Sequence, residues 1–341
     1  MKSLFKKNRS KRIGVIGAGG WGTALAAILV NNGHDVNMWS YESEVADNIN
    51  KDNENYTYLP GVKLPNKLKA TNDPNKLKKA DGYVIAVPTK FLRSTIKENK
   101  FDFQDKLVIN VGKGIEKDSL QTVSNILINC CEVHRDNYAI LTGPSHAEEV
   151  ARNVPTTVVA AAFNHEKAME VQDLFNNQYF RVYTSDDVTG CELGGALKNV
   201  IAIAAGVIDG LELGDNVKAA LMTRGLAEMS RLGTALGANP LTFSGLSGLG
   251  DLIVTCNSHH SRNRAVGEMI GRGKTHDQIL KETKMVAEGL NTTQSAYSLG
   301  MKHNVEMPIA EQMYRIIFEN VDPLSALDDL MTRSTKREWW W

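Results

Sequence analysis

Six residues, Gly17-Ala18-Gly19-Gly20-Trp21-Gly22, follow directly on an apolar run at 12–17 (RIGVIG). They open an Ala/Leu-rich stretch, TALAAIL at 23–29, that stops at Gly33 before a second apolar run. A G-x-G-x-x-G match alone is weak; a strand before it, a helix after it and a further strand beyond are what give it meaning. In that setting Gly17 permits a tight turn, Gly19 lets the backbone approach a pyrophosphate, and Gly22 lets the helix pack close to the sheet. The helix start then presents amide donors and the positive end of its dipole to phosphates. An ordinary glycine-rich strand–helix turn would not need all three contexts, so a dinucleotide site over Gly17, Gly19, Gly20, Trp21 and Gly22 is the expectation.

Which dinucleotide depends on the end of the second strand, where an acid binds a ribose 2′-hydroxyl and an arginine accepts a 2′-phosphate. That run ends in Ser40-Tyr41-Glu42, with Glu42 twenty residues past Gly22. The carboxylate leans the reading toward NAD and leaves NADP open.

Continuous apolar runs recur at 12–17, 35–40, 82–87, 106–111, 138–141 and 156–161, the form expected of strands buried on both faces of a parallel sheet. Helical patterns lie between them near 20–31, 42–50, 90–98 and 118–130. This alternation predicts an α/β, doubly wound Rossmann-type parallel sheet domain. Past residue 190 strand signals fade and helical patterns take over at 191–213, 215–236, 262–271, 276–283, 290–303 and 308–319. A boundary between Ser185 and Thr189 is therefore expected, dividing a dinucleotide-binding domain (1–188) from a mostly α-helical, substrate-binding second domain (189–341).

Composition excludes several classes. Lys+Arg and Asp+Glu are both 39, so no global field attracts a nucleic acid. Residues 1–12 hold six Lys/Arg but lead into no apolar signal segment, which reads as a solvated arm. Cys130, Cys131, Cys191 and Cys256 form neither a disulfide framework nor a metal-ligand spacing, so no metal and a reducing cytoplasm are expected. The longest charge-free stretch of the most apolar helical pattern, 199–208, is too short for a membrane span. Nothing in the sequence accounts for Trp339–Trp341.

The chemistry centres on Lys198. Over 191–213 an apolar stripe runs through Leu193, Leu197, Val200, Ile201, Ala204, Ile208 and Leu211, and Lys198 lies off it beside Gly194, Gly195, Ala202, Ala205 and Asp209. Two glycines early in a helix cost about 1 kcal/mol each against alanine. That cost is tolerated where a ligand, a cofactor ring or the other domain packs close. An ammonium in so tight a place loses water and its pKa falls toward the range useful for proton transfer. A solvated lysine on an exposed face is the equally weighted alternative.

A second centre is His259-His260-Ser261-Arg262-Asn263-Arg264, where Ser261 reads as a helix N-cap. Arginines in a first turn oppose the helix dipole unless an anion sits there, so Ser261, Arg262, Asn263 and Arg264 read as a phosphate site, with surface arginines as the alternative. The two histidines read as solvated or packed, not as metal ligands. Upstream, the glycine-rich Ser244–Gly250 segment ends in Asp251, which either orients Lys198 or a substrate hydroxyl or simply starts the next helix.

The segments GAGGWGTALA (17–26), VGKGIE (111–116), LTGPSHAEEV (141–150), GCELGGALKNVIAIAAG (190–206), RGLAEMSRLG (224–233), GLSGLGDLIVTC (245–256), SRN (261–263) and VAEG (286–289) together resemble the bacterial NAD(P)-dependent glycerol-3-phosphate dehydrogenases, over roughly 12–320. The resemblance implies a reversible hydride transfer between NAD(P)H and dihydroxyacetone phosphate to give sn-glycerol 3-phosphate, feeding glycerophospholipid synthesis; a homodimer is the expected assembly, which the sequence itself does not reveal. It implies Lys198 as proton donor and acceptor. It implies that Lys113, Gly143, Ser145, Lys198, Asp251, Ser261, Arg262 and Asn263 hold the substrate. Gly20, Trp21, Tyr41, Lys113, Ala147, Arg262, Val286 and Glu288 would touch the cofactor. Two positions depart from the family pattern: Gly20 stands where serine is usual, and Tyr41 where Arg or His is common beside the adenosine ribose. The competing readings are a two-domain hydroxy-acid dehydrogenase of the same architecture, which would not require the SRN cluster, and a nucleotide sensor without turnover, which would not require Lys113, Lys198 and Asp251 together.

Overall fold

The computed structural model describes residues 9–282 and 287–338. The run at 12–17 becomes β1 (Arg12–Ile16), buried at every position after Arg12 because it lies mid-sheet with both faces covered. There follow α1 (Gly20–Asn31), β2 (Asp35–Trp39), α2 (Ser43–Asp52), β3 (Lys69–Thr71), β4 (Gly82–Ile85), α3 (Thr89–Asn99) and β5 (Leu107–Asn110). The chain continues through α4 (Val123–Cys130), β6 (Tyr138–Thr142), α5 (Ala147–Val150), β7 (Thr156–Ala162), α6 (His165–Phe175) and β8 (Phe180–Ser185). The eight strands form one sheet in the order β3-β2-β1-β4-β5-β6-β7-β8. The parallel neighbours β1 and β4 mark the point where successive strands switch from one side of β1 to the other, so the carboxyl ends of those two strands form the crevice where ligands collect in such folds.

The six expected strands are all present, in a Rossmann-type domain. Two more are added, and one pairing differs from the expected parallel sheet: β6 and β7 are antiparallel, while β7 and β8 run parallel to each other. The link between β6 and β7 contains only the four-residue α5, too short to carry the chain back across the sheet as a parallel crossover requires. The helical pattern at 118–130 shortens to α4, since 111–122 forms a loop closed by an Ile115–Thr122 bridge.

Beyond β8 the chain is helical: α7 (Val188–Gly210), α8 (Asp215–Ala235), α9 (Pro240–Phe243), a π turn at Leu246–Gly250, α10 (Asp251–Asn257), α11 (Arg262–Gly271), α12 (His276–Glu282), α13 (Glu288–His303), α14 (Pro308–Phe318) and α15 (Pro323–Met331). Helix α7 is the axis of this half. It is buried at every position from Gly190 to Ile208, so the single apolar stripe legible in the sequence is only part of an entirely enclosed helix. By length and composition it could cross a membrane, but its apolar window lies wholly inside the protein.

Two contacts fix α7. At its start, the buried Glu192 carboxylate accepts hydrogen bonds from the Ser124 amide (2.7 Å), the Ser124 hydroxyl (2.5 Å) and the Tyr138 hydroxyl (2.7 Å), tying it to α4 and β6. Farther along, Gly206 and Gly210 of α7 face Gly267 and Gly271 of α11. A Cβ on Gly206 would lie 1.9 Å from the Arg264 carbonyl oxygen, and one on Gly267 1.9 Å from that of Ile203. Spacing of four puts each pair on one helix face, so the two backbones meet almost in direct contact.

Candidate active site

The glycine loop leaves β1 at Gly17, whose φ of +109° is open to glycine and strained for other residues. A Cβ on Gly22 would stand 2.2 Å from the Gly17 carbonyl oxygen, so α1 closes tightly on the strand end. Beside Gly19, by contrast, a Cβ would meet nothing within 4 Å. Helix α1 has no side-chain cap, leaving its first amides facing that space. An open cradle at an uncapped helix start, at the β1/β4 crevice, fits a pyrophosphate. The half-buried Trp21 packs its ring toward Phe180, with centroids 6.5 Å apart. After β2, Glu42 accepts from the Tyr58 hydroxyl at 2.8 Å, while Tyr41 is 80% exposed and stands apart.

Lys198 is not solvated. Its Nζ donates to Asp251 Oδ1 (2.5 Å) and to Thr255 Oγ1 (2.5 Å), and its side chain is 7% exposed. The other Asp251 oxygen accepts from Lys113 Nζ (2.6 Å), which also donates to the Gly143 carbonyl (3.0 Å). Burial lowers the Lys198 pKa to about 8; Asp251 opposes this and the Lys113 ammonium adds to it. Burial alone would raise the Asp251 carboxyl, but the two ammoniums outweigh it and hold it below its ordinary value. Each lysine uses two of its three N–H groups on protein partners, which leaves each with one for a ligand. The glycines beside Lys198 are filled by protein rather than by a cofactor ring: a Cβ on Gly194 would meet the Ser247 carbonyl at 2.7 Å, and one on Gly195 the Thr142 hydroxyl at 3.1 Å and Lys113 Cγ at 3.4 Å.

The Ser261 turn joins this centre through amides. Asn263 Nδ2 donates to Asn199 Oδ1 (2.8 Å), Asn199 Nδ2 donates to the Lys113 carbonyl (3.2 Å), and the Gly289 amide donates to Asn263 Oδ1 (3.0 Å). Ser261 caps α11, accepting from the Arg264 amide at 3.2 Å. Arg262 is exposed and makes no hydrogen bond or ion pair among the described residues. Arg264 differs from expectation: its guanidinium bonds Asp209 at 2.6 Å, a carboxylate shared with Lys218 at 2.9 Å, so it neutralises a half-buried acid rather than serving an anion.

The segment Gly143–Ala147 spans the two halves of the site. Ser145 Oγ donates to the Gly143 carbonyl (2.9 Å), and Ala147 lies 3.6 Å from where a Gly20 Cβ would sit. Between them the His146 ring lies tilted against that of His260 (centroids 5.7 Å), and burial, followed by the Lys198 ammonium, lowers its pKa. Glu288 accepts from the Thr89 amide at 2.9 Å, just beyond β4, and burial raises its pKa. Val286 lies outside the described residues. Lys113, Gly143, Asp251, Asn263 and Lys198 are thus linked by hydrogen bonds; Tyr41 and Arg262 stand at the rim. Thr255, Asn199 and Thr89 were not singled out in the sequence. Thr255 follows Asp251 by one helical turn and could have been found had 251–257 been read as a helix.

Family models described as the NAD-dependent glycerol-3-phosphate dehydrogenase N-terminus and C-terminus match residues 12–168 and 187–328. A glycerol-3-phosphate dehydrogenase (NAD(P)+) of Lysinibacillus sphaericus is 51% identical over 96% of this chain and 98% of its own. One of Bacillus subtilis is 48% identical over 96% of each. A crystal structure of glycerol-3-phosphate dehydrogenase from Coxiella burnetii superposes with a TM-score of 0.89 at 38% identity, covering 95% of this chain and 99% of that one.

Proposed function

The chain belongs to the NAD-dependent glycerol-3-phosphate dehydrogenase family, and on that footing we propose that Lys198 moves the proton in its reversible reduction of dihydroxyacetone phosphate to sn-glycerol 3-phosphate. The reading rests on one observation: an enclosed amine, its pKa near 8, held by Asp251 and Thr255 with one N–H left over. A nicotinamide dinucleotide held by the glycine loop would supply the hydride chemistry at C2 in either direction. As the C2 carbonyl becomes an alkoxide, the Lys198 ammonium gives it a proton; in the other direction the neutral amine takes the hydroxyl proton. Asp251 fixes the amine in place, and Lys113 adds positive potential where negative charge develops.

Arg262, the Asn263 amide and the start of α11 around Ser261 hold the phosphate, with Lys113, Gly143 and Ser145 closing the other side. Binding energy remote from C2 then sets the attack geometry. Gly17, Gly19, Gly20, the Trp21 backbone and Gly22 take the dinucleotide phosphates, while Tyr41, Lys113, Ala147, Arg262 and Glu288 flank the rest of the cofactor. Ser40-Tyr41-Glu42 sets a carboxylate and no cation at the end of β2, which favours NAD over NADP. We take 1–188 as the dinucleotide domain and 189–341 as the substrate domain, meeting where β8 ends and α7 begins, and we take the enzyme to be a cytoplasmic homodimer supplying glycerophospholipid synthesis.

The test is spectrophotometric reduction of dihydroxyacetone phosphate with NADH and NADPH in parallel. NADH should be preferred, and Lys198→Ala should lower kcat about a thousandfold. An unchanged rate in that variant removes the assignment.

A further inference from the structure

Away from the lysine cluster lies a cavity of about 570 Å³ between α7, α8, α14, α15 and the segment 333–338. Its walls are aliphatic, among them Ala204, Ile208, Leu211, Leu221, Met313 and Leu327. Five Arg and Lys line it with Glu228 and Glu338; of these Arg333 (3.3 Å) and Lys336 (2.7 Å) pair with Glu306 and Arg231 bonds the Glu306 carbonyl (3.1 Å). The Glu228 carboxylate is already engaged, accepting from the Ile309 (2.7 Å) and Ala310 (3.3 Å) amides at the start of α14. Arg224 meets only the Glu338 carbonyl, at 3.4 Å, and neither Arg224 nor Arg337 has a carboxylate within ion-pair distance among the described residues. An apolar chamber of this size with uncompensated guanidiniums at its edge matches a ligand that is long and aliphatic at one end and anionic at the other.

We propose that this cavity binds a single-chain amphiphile with an anionic head, the alkyl chain lying between the helices and the head meeting Arg224 and Arg337. A long-chain carboxylate and a monoalkyl phosphate share that chemistry. Because α7 lines the cavity with Ala204, Val207 and Ile208 and carries Lys198 about two turns before Ala204, the occupant rests against the same helix as the proposed proton carrier.

Isothermal titration calorimetry of the full chain with octanoate, decanoate, dodecanoate and dodecyl phosphate, each below its micelle concentration, tests this. Each added methylene should tighten binding about fourfold, and dodecyl maltoside should bind at least about tenfold more weakly than either anion. A preference for phosphate over carboxylate at equal chain length would point to a phosphorylated lipid, and the reverse to a free fatty acid; either sustains the proposal. Ala220→Phe, which fills the cavity from the exposed face of α8, should weaken both anions at least about tenfold while dihydroxyacetone phosphate reduction stays within about twofold. Arg224→Glu with Arg337→Glu should erase the preference for anions over maltoside.

Absence of binding, no dependence on chain length, or indifference to Ala220→Phe overturns the proposal. So does a chain ending at Glu338 that binds while the full chain does not, which would make Trp339–Trp341 the occupant. Dissociation of a dimer by Ala220→Phe in sedimentation, without loss of alkyl binding, would likewise give the cavity to a second copy.

Discussion

If Lys198 carries the proton as proposed, its pKa near 8 divides the two directions of the reaction by pH. Reduction needs the ammonium, so kcat/KM for dihydroxyacetone phosphate should be level below about pH 8 and fall above it. Oxidation of glycerol 3-phosphate needs the free amine and should rise through the same pH. Lys113 helps hold Lys198 down, so Lys113→Gln should move both inflections upward besides weakening substrate binding. Steady-state pH profiles in both directions check this; a profile of Lys113→Gln unmoved from wild type would exclude the coupling. The sequence carries half of this. The small residues around Lys198 announce a crowded amine, but Asp251 and Thr255 lie 53 and 57 positions away, and no local pattern tells which distant carboxylate will meet a given amine.

The pairing of α7 with α11 shows what elements add. The sequence shows helices over both stretches, with Gly206 and Gly210 in one and Gly267 and Gly271 in the other at intervals of four. It does not identify the neighbour, because Gly206 meets the carbonyl of Arg264, nearly sixty residues on. Strands were legible for the same reason that neighbours were not: burial on both faces is written locally as an apolar run, whereas a partner is chosen by the whole fold. The edge strand β8 and three-residue β3 were missed because one is half exposed and the other barely longer than a turn. Gly206→Ala would drive a methyl into a main-chain oxygen that cannot move without parting two helices. It should cost about 3 kcal/mol or more, read as a lowered denaturation midpoint. Because α11 carries the Ser261 turn, KM for dihydroxyacetone phosphate should rise in the same variant.

At the scale of the molecule, the site is assembled from both halves, and Glu192 is one of the bolts between them. Removing its carboxylate strands the Ser124 amide and the Tyr138 hydroxyl in the interior, so Glu192→Ala should destabilise by about 3–5 kcal/mol. Glu192→Gln keeps an acceptor for both and should be mild. Burial raises the folded pKa of Glu192, so the native state binds the proton more tightly than the unfolded chain. Wild-type stability from this group is therefore present at low pH and lost as pH climbs through the folded pKa. The glutamine variant, which has no charge to bury, should gain on wild type over that interval in urea titrations at stepped pH. No gain would mean that the carboxylate is not penalised in place.

Glu192 also limits how such enzymes can be recombined. A chimera joined between β8 and α7 would take the helix that bears Lys198 from one parent and its mooring, Ser124 and Tyr138, from the other. Unless the donor sequences agree at those three positions, the amine would arrive on a helix with nothing to seat it, however well each half folds alone.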